Sequence, residues 1–197
     1  MKNISESNFF ALIDRMKYIN RWGLMRSTRV ENVQEHSHQT AVLAHALAVI
    51  GREHYGSTVD PGAVAAAALY HDASEILTGD LPTPVKYYNP EISAAYRKVE
   101  SVSKNKLFSL LPEDLAAEYK RLLFAEEDNP GLYKYVKAAD RLSAYIKCVE
   151  ELKSGNTEFK KAHDQIKILL EETDMPELRH FIAHYMTGFT LTLDELD

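Results

Sequence analysis

The stretch "DPGAVAAAALYHDASEILTGDLPTPVKY" occupies residues 60–87. Asp60 is a capping residue type, and Pro61 suits the first helical position, where its missing N–H costs nothing. The alanine-rich run that follows carries small side chains, so its helix can pack closely against neighbours. Thr78 and Gly79 stop the helical pattern, and Pro82 and Pro84 stiffen the loop beyond it. Between helix and loop stand His71, Asp72 and Glu75. If the helix runs through them, Glu75 lies four residues after His71 and three after Asp72, and all three point toward roughly one side. An imidazole and a carboxylate on adjacent residues can bind one metal ion. Glu75 is then placed to handle the water rather than the metal.

Outward from this stretch, the same start signal recurs at Asn89-Pro90 and Asn129-Pro130, which predicts long helices over about 90–111 and 130–153. Gly155 is the expected stop of the second. Phe9, Leu12, Ile13, Met16 and Ile19 recur at the spacing of one helix face. A further helix is expected from Val33 to about Gly51, with Leu43, Leu47 and Ile50 as its apolar stripe. Shorter helices fit 113–125, 157–172 and 176–187. No alternating pattern of strand length, internal repeat or low-complexity segment interrupts this order. The expectation is an all-α single domain spanning residues 1–197.

Composition bounds what such a domain can do. Hydrophobic residues make up 45% and charged residues 26% of 197, the balance of an ordinary globular protein. No apolar run reaches the roughly 18 residues of a membrane span. The opening "MKNISESNFF" lacks the basic start and apolar centre of a signal peptide, so the expected location is the cytoplasm. The single cysteine, Cys148, excludes an intrachain disulfide and reads as a small buried thiol. A net charge of -6 argues against a nucleic-acid polymer as partner, although a small phosphorylated ligand needs only a few local cations.

Two ligands do not complete a metal site. His36, in "ENVQEHSHQTAVLAH", and Asp140, in "VKAADRLSAYIK", are the candidates to join His71 and Asp72. Asp140 sits among Val136, Ala138, Ala139 and Leu142, so its carboxylate needs a partner. A metal would serve, and so would Arg141 or Lys137. The ordered set His36, His71-Asp72, Asp140 on a helical chain resembles the HD-domain metal-dependent phosphohydrolases. The words "INRWGLMR", "ENVQEHS" and "HDASEILTGDLPTPVKY" are similar to those of the bacterial 5'-deoxynucleotidases within that superfamily.

The resemblance implies a helical bundle holding one divalent metal of the Mn, Fe, Co or Zn class on His36, His71, Asp72 and Asp140. It implies a substrate pocket lined by Arg21, Trp22, Asp80, Leu81, Pro82 and Thr83 and bordered by His36 and Asp72. It also implies a homodimer. The substrates would be deoxyribonucleoside 5'-monophosphates, hydrolysed to deoxyribonucleosides and phosphate. Glu75 would orient the attacking water or carry its proton. Asp80 would touch the sugar hydroxyl or assist proton transfer. Arg21 would grip the phosphate, with Lys86 as a second cation. Trp22 would close the space of a ribose 2'-hydroxyl, against the plainer reading of a core tryptophan.

Competing readings remain at this stage. They are another HD chemistry on triphosphates or cyclic nucleotides, a silent nucleotide-binding regulator, and a metal-free helical adaptor. His38 reads as a helix-surface histidine and His45 as a packing residue. His180 and His184 have the i, i+4 spacing of a metal pair but no glutamate between them to act as base.

Overall fold

A computed structural model describes residues 6–86 and 88–196, and at residue 83 the backbone alone. Among the described residues every regular element is a helix. The extended pairing is one antiparallel bridge, Asn20 to Asn32. In chain order the helices are α1 (Phe9–Ile13), α2 (Val33–Tyr55), α3 (Pro61–Leu69), α4 (Glu75–Thr78), α5 (Thr83–Lys86) and α6 (Pro90–Phe108). They continue as α7 (Glu113–Leu123), α8 (Ala125–Asp128), α9 (Pro130–Lys153), α10 (Lys160–Glu171) and α11 (Pro176–Tyr185). Short 3₁₀ turns extend α1 and precede α10.

The starts follow local chemistry. The side chains of Asn32, Asp60, Asn89 and Asn129 each accept a backbone N–H from the first turn of the helix they precede. Proline follows three of them at the first helical position.

Several boundaries differ from the sequence expectation, and three of them shape the architecture. α2 passes through Gly51 and stops at Gly56, whose φ of 68° is the left-handed conformation that glycine adopts without strain. The long helix after Asn89 ends at Phe108. Most important, α3 ends at Leu69, so His71 and Asp72 do not continue it. Residues 70–74 close as successive turns, with Tyr70 N–H on the Ala67 carbonyl at 3.1 Å and Ala73 N–H on the Tyr70 carbonyl at 3.1 Å.

The long helices α2 and α9 form the centre, with α3, α10 and α11 packed around them. Leu43 and Leu47 of α2, Val136, Ala139, Leu142 and Ile146 of α9, Val64 and Ala67 of α3 and Leu178 of α11 share one apolar cluster. Truncating a fully buried leucine here, such as Leu47 or Leu142, would cost about 2–5 kcal/mol. A second, smaller core joins Phe9, Leu107 and Leu123 to Ala73. Ala73 therefore pins the turn after His71 and Asp72 against α1, α6 and α7. The turn hangs between the two cores, beside the start of α2 and the middle of α9. Among the described residues no helix is long and apolar enough to cross a membrane.

Candidate metal centre and substrate pocket

The central packing brings together residues that are remote in sequence. His36 Nε2 lies 3.0 Å from Asp140 Oδ1 and 3.6 Å from Asp72 Oδ2. His71 Nε2 lies 3.2 Å from Asp72 Oδ2 and 3.9 Å from Asp140 Oδ1. One ligand atom each from His36, His71 and Asp72 falls within 4.8 Å of the others, and Asp140 borders the same point. Successive side chains of a regular α-helix diverge by about 100°, so the break after Leu69 is what lets adjacent residues 71 and 72 aim at one centre. Asp140 takes neither of its neighbouring cations, because Arg141 donates instead to Thr173 at 3.3 Å.

The far nitrogens of both imidazoles are committed elsewhere. His36 Nδ1 is 3.1 Å from Ser143 Oγ. That hydroxyl donates its proton to Gln39 Oε1 at 2.6 Å, so it accepts from Nδ1–H. His71 Nδ1–H donates to the Ala68 carbonyl at 2.7 Å. Both neutral rings then present an Nε2 lone pair to the carboxylates. Lone pairs facing carboxylates repel unless a proton or a cation lies among them. His71 Nε2 is fully buried and makes no hydrogen bond. Two imidazoles and two carboxylates around such a point are a donor set that fits a divalent transition metal.

The electrostatics agree. Burial alone would lower the His71 pKa, yet Asp72 and Asp140 hold it well above the usual imidazole value. Burial would raise Asp72 and Asp140, yet His71, His36 and, for Asp72, Arg21 hold both well below the usual carboxylate range. The centre attracts positive charge.

Around it stand Glu75, Asp80 and Arg21. Glu75, at the start of α4, is buried with its Oε2 unpartnered. Burial and then the negative Asp72 and Asp80 push its carboxyl up to about 9. A cation at the centre acts in the opposite sense. Asp80 is also raised by burial, with Arg21 counteracting and the Trp22 backbone amide helping to do so. Arg21 donates through Nη1 to Asp72 Oδ2 at 3.2 Å and through Nε to Glu31 Oε2 at 3.1 Å.

Trp22 is half-buried rather than a core residue. Its indole N–H donates to Glu31 Oε2 at 3.0 Å, and its ring lies 5.3 Å from that of Phe159. Leu81 and Pro82 are half-buried, and the Pro82 carbonyl accepts from Val85 and Lys86 to start α5, a short helix within the stretch expected as a proline-stiffened loop. The Thr83 side chain lies outside the described residues. Lys86 donates to Glu100 of α6 at 2.8 Å and sits 4.7 Å over the Tyr96 ring.

His45, read as a packing residue, is exposed, because it falls on the solvent face of α2. His38 is exposed as expected, and Cys148 is buried, which pushes its thiol up to about 12. The His180 and His184 rings lie 4.6 Å apart on α11, tilted 49° to each other. Sequence reasoning missed Glu31, Gln39 and Ser143. The available signals were weak: Glu31 opens the word "ENVQEHS", and Ser143 follows Asp140 by three residues on the same helix.

Comparisons with known proteins find relatives over nearly the whole chain. The sequence model of a family described as 5'-deoxynucleotidase YfbR-like matches residues 8–189. A 5'-deoxynucleotidase of Vibrio parahaemolyticus is 47% identical over 193 residues, covering 98% of this chain and 100% of that protein. Among solved structures, an HD-domain phosphohydrolase from Listeria innocua superposes with a TM-score of 0.80 at 22% identity, over 92% of this chain and 88% of that one. The cyanophage S-2L HD phosphohydrolase, solved with dA and one catalytic Zn2+ ion, superposes with a TM-score of 0.59 at 22% identity, over 94% and 95%.

Proposed function

The chain belongs to the 5'-deoxynucleotidase YfbR-like family, and we propose that it hydrolyses deoxyribonucleoside 5'-monophosphates to deoxyribonucleosides and phosphate. One divalent metal ion would be held by His36, His71, Asp72 and Asp140. The observation that carries this reading is the convergence of two imidazole nitrogens and two carboxylates beside Arg21, with His71 Nε2 buried against Asp72 without a well-aligned hydrogen bond. The dA in the cyanophage phosphohydrolase and the names of the curated relatives support the same substrate class.

When bound, the metal supplies Lewis-acid polarisation of a phosphoryl oxygen and a lowered pKa for water. The chain's own groups do the rest. Ser143 and the Ala68 carbonyl hold the two imidazoles with Nε2 forward. Arg21 spends Nε on Glu31 and Nη1 on Asp72, which leaves other guanidinium N–H groups to bind phosphoryl oxygens. Glu75 takes the proton of the attacking water at Oε2, the oxygen no other group occupies. Asp80 takes a sugar hydroxyl and stands next in line for that proton. Trp22 closes the space beside the sugar C2', so a ribose hydroxyl would be buried without a partner. Leu81 and Pro82 would form the loop side of the pocket, and Thr83 and Lys86 would follow them along the same stretch. The metal belongs to the Mn, Fe, Co or Zn class.

In the cytoplasm the protein would act as a homodimer of single-domain chains. The exposed Ile92, Val99 and Val102, along one face of α6, offer an apolar surface for pairing that sedimentation velocity can test.

Phosphate release from dAMP and AMP, with EDTA and then with Co or Mn restored, tests the activity. Metal-dependent hydrolysis of dAMP, with little of AMP, is expected. Phosphate from neither would overturn the reading in favour of triphosphate or cyclic nucleotide hydrolysis, or of a silent nucleotide binder.

A further inference from the structure

We propose that Glu31 is the positioning residue that holds Arg21 and Trp22 as one unit and thereby sets discrimination at the sugar. The inference rests on the pocket roles of Arg21 and Trp22 given above. It starts from a strained backbone. Among the described residues, Trp22 is the one non-glycine residue with positive φ, at 60°. Left-handed backbone is unfavourable for a bulky side chain and persists only where the surroundings over-determine it.

Glu31 supplies that determination from both its main chain and its side chain. Its carbonyl accepts the Arg21 backbone N–H at 2.9 Å, next to the Asn20–Asn32 bridge. Its Oε2 accepts both the Trp22 indole N–H at 3.0 Å and the Arg21 Nε–H at 3.1 Å. One oxygen therefore fixes the spacing between the guanidinium and the indole. The other arm of Arg21 reaches Asp72 Oδ2 at 3.2 Å, so the same chain of bonds ties the indole to the metal centre. Phe159, fully buried, backs the indole at 5.3 Å and limits how far it can swing. The Glu31 side chain is only 12% exposed, so water competes weakly for these bonds. Glu31 bonds these two side chains and acts on substrate only through them.

The chain's one tryptophan makes the arrangement observable, because emission excited on the red side of tyrosine absorption reports Trp22 and none of the eleven tyrosines. The experiment compares Glu31→Ala, Glu31→Gln and Trp22→Ala in the full-length, Co-loaded protein. It reads acrylamide quenching of Trp22 emission where the indole is present, and the ratio of kcat/KM for dAMP over AMP in every variant. Glu31→Ala is expected to raise the quenching constant by about twofold or more and to cut the ratio by about tenfold, the scale of a lost charge-assisted hydrogen bond. Glu31→Gln keeps an amide oxygen that can accept both bonds and should retain both readouts to within about twofold. Should Glu31→Ala not fold, Glu31→Asp takes its place. It keeps the charge but withdraws the oxygen by one methylene, and the same two changes are expected.

An unchanged quenching constant overturns the proposal whatever the kinetics show. Raised quenching with an unchanged ratio also overturns it, provided Trp22→Ala itself lowers the ratio. A ratio unmoved by Trp22→Ala removes the sugar-wall role on which the inference rests, and both then fall.

Discussion

Replacing Glu151 by glutamine will destabilise the protein by about 3 kcal/mol at neutral pH, and the penalty will shrink on acidification. The Glu151 side chain is 1% exposed. It accepts from Lys147 Nζ at 2.5 Å, from Thr28 N–H at 2.9 Å and Oγ1 at 2.8 Å, and from Asn156 Nδ2 at 2.8 Å. Burial alone would raise its pKa, but these donors outweigh burial and bring the carboxyl to about 2 from the usual 4.5. At about 1.4 kcal/mol per pKa unit, the shift amounts to about 3 kcal/mol. The folded pKa is the depressed one, so the stabilisation is complete above the unfolded value and is lost as pH falls toward the folded value. Between pH 5 and pH 3 the parent protein loses about 2 kcal/mol that the glutamine variant never had. Glutamine keeps the shape but leaves the buried Lys147 ammonium facing no carboxylate, which is the costly arrangement. Urea unfolding in EDTA at pH 7, 5 and 3 measures the difference, and thermal unfolding at pH 7 should fall by about 6–12 °C for a chain of this length. A stability gap that stays constant from pH 7 to pH 3 would refute the assignment of the effect to the ionised carboxylate. The outcome bears on the pocket as well, because Thr28 belongs to the segment between Trp22 and Glu31.

Other perturbations probe the centre and the core. Glu75→Gln should lower turnover by about 10²–10⁴-fold while metal content, measured by mass spectrometry, stays at the parent level; loss of metal would make Glu75 a ligand instead. Ser143→Ala frees the His36 Nδ1–H and should weaken metal retention about tenfold or more in a chelator competition, and an unchanged affinity would show that the ring is oriented by packing alone. Gly51→Ala would gain about 1 kcal/mol from helix propensity alone. Its Cβ, however, would meet Tyr135 Oη at 2.8 Å and Glu177 Oε1 at 3.0 Å, so a net loss of about 1–3 kcal/mol is expected in thermal unfolding.

Much of the fold was legible because its signals are local. The caps at Asp60, Asn89 and Asn129 mark true helix starts, since a capping side chain bonds an N–H only two or three residues away. The apolar stripe of Leu43, Leu47 and Ile50 faces the core as its spacing requires. The ends were harder to read. Gly51 looks like a stop, yet it lies inside α2, because the close approach of Tyr135 and Glu177 leaves no room for a side chain there. The break of α3 after Leu69 was not legible either, because Ala73 is held by a second core built from residues far along the chain.

The sequence by itself determined the helical class and the order of the helices. Through the set His36, His71, Asp72 and Asp140, it also determined which side chains were worth bringing together. Only the tertiary structure decided how they meet. It alone showed that the turn after Leu69 aims adjacent residues at one point, and that Ser143 and the Ala68 carbonyl select the imidazole nitrogen that faces the carboxylates. It alone showed a tryptophan in left-handed backbone whose indole shares one Glu31 oxygen with Arg21. The physical reason is range. Caps and periodicity act within a turn or two of helix. The His36 tautomer depends on Ser143, 107 residues away, which no local pattern encodes, while the His71–Ala68 and Glu31–Trp22 bonds are short in sequence but need an irregular backbone that periodicity does not reveal.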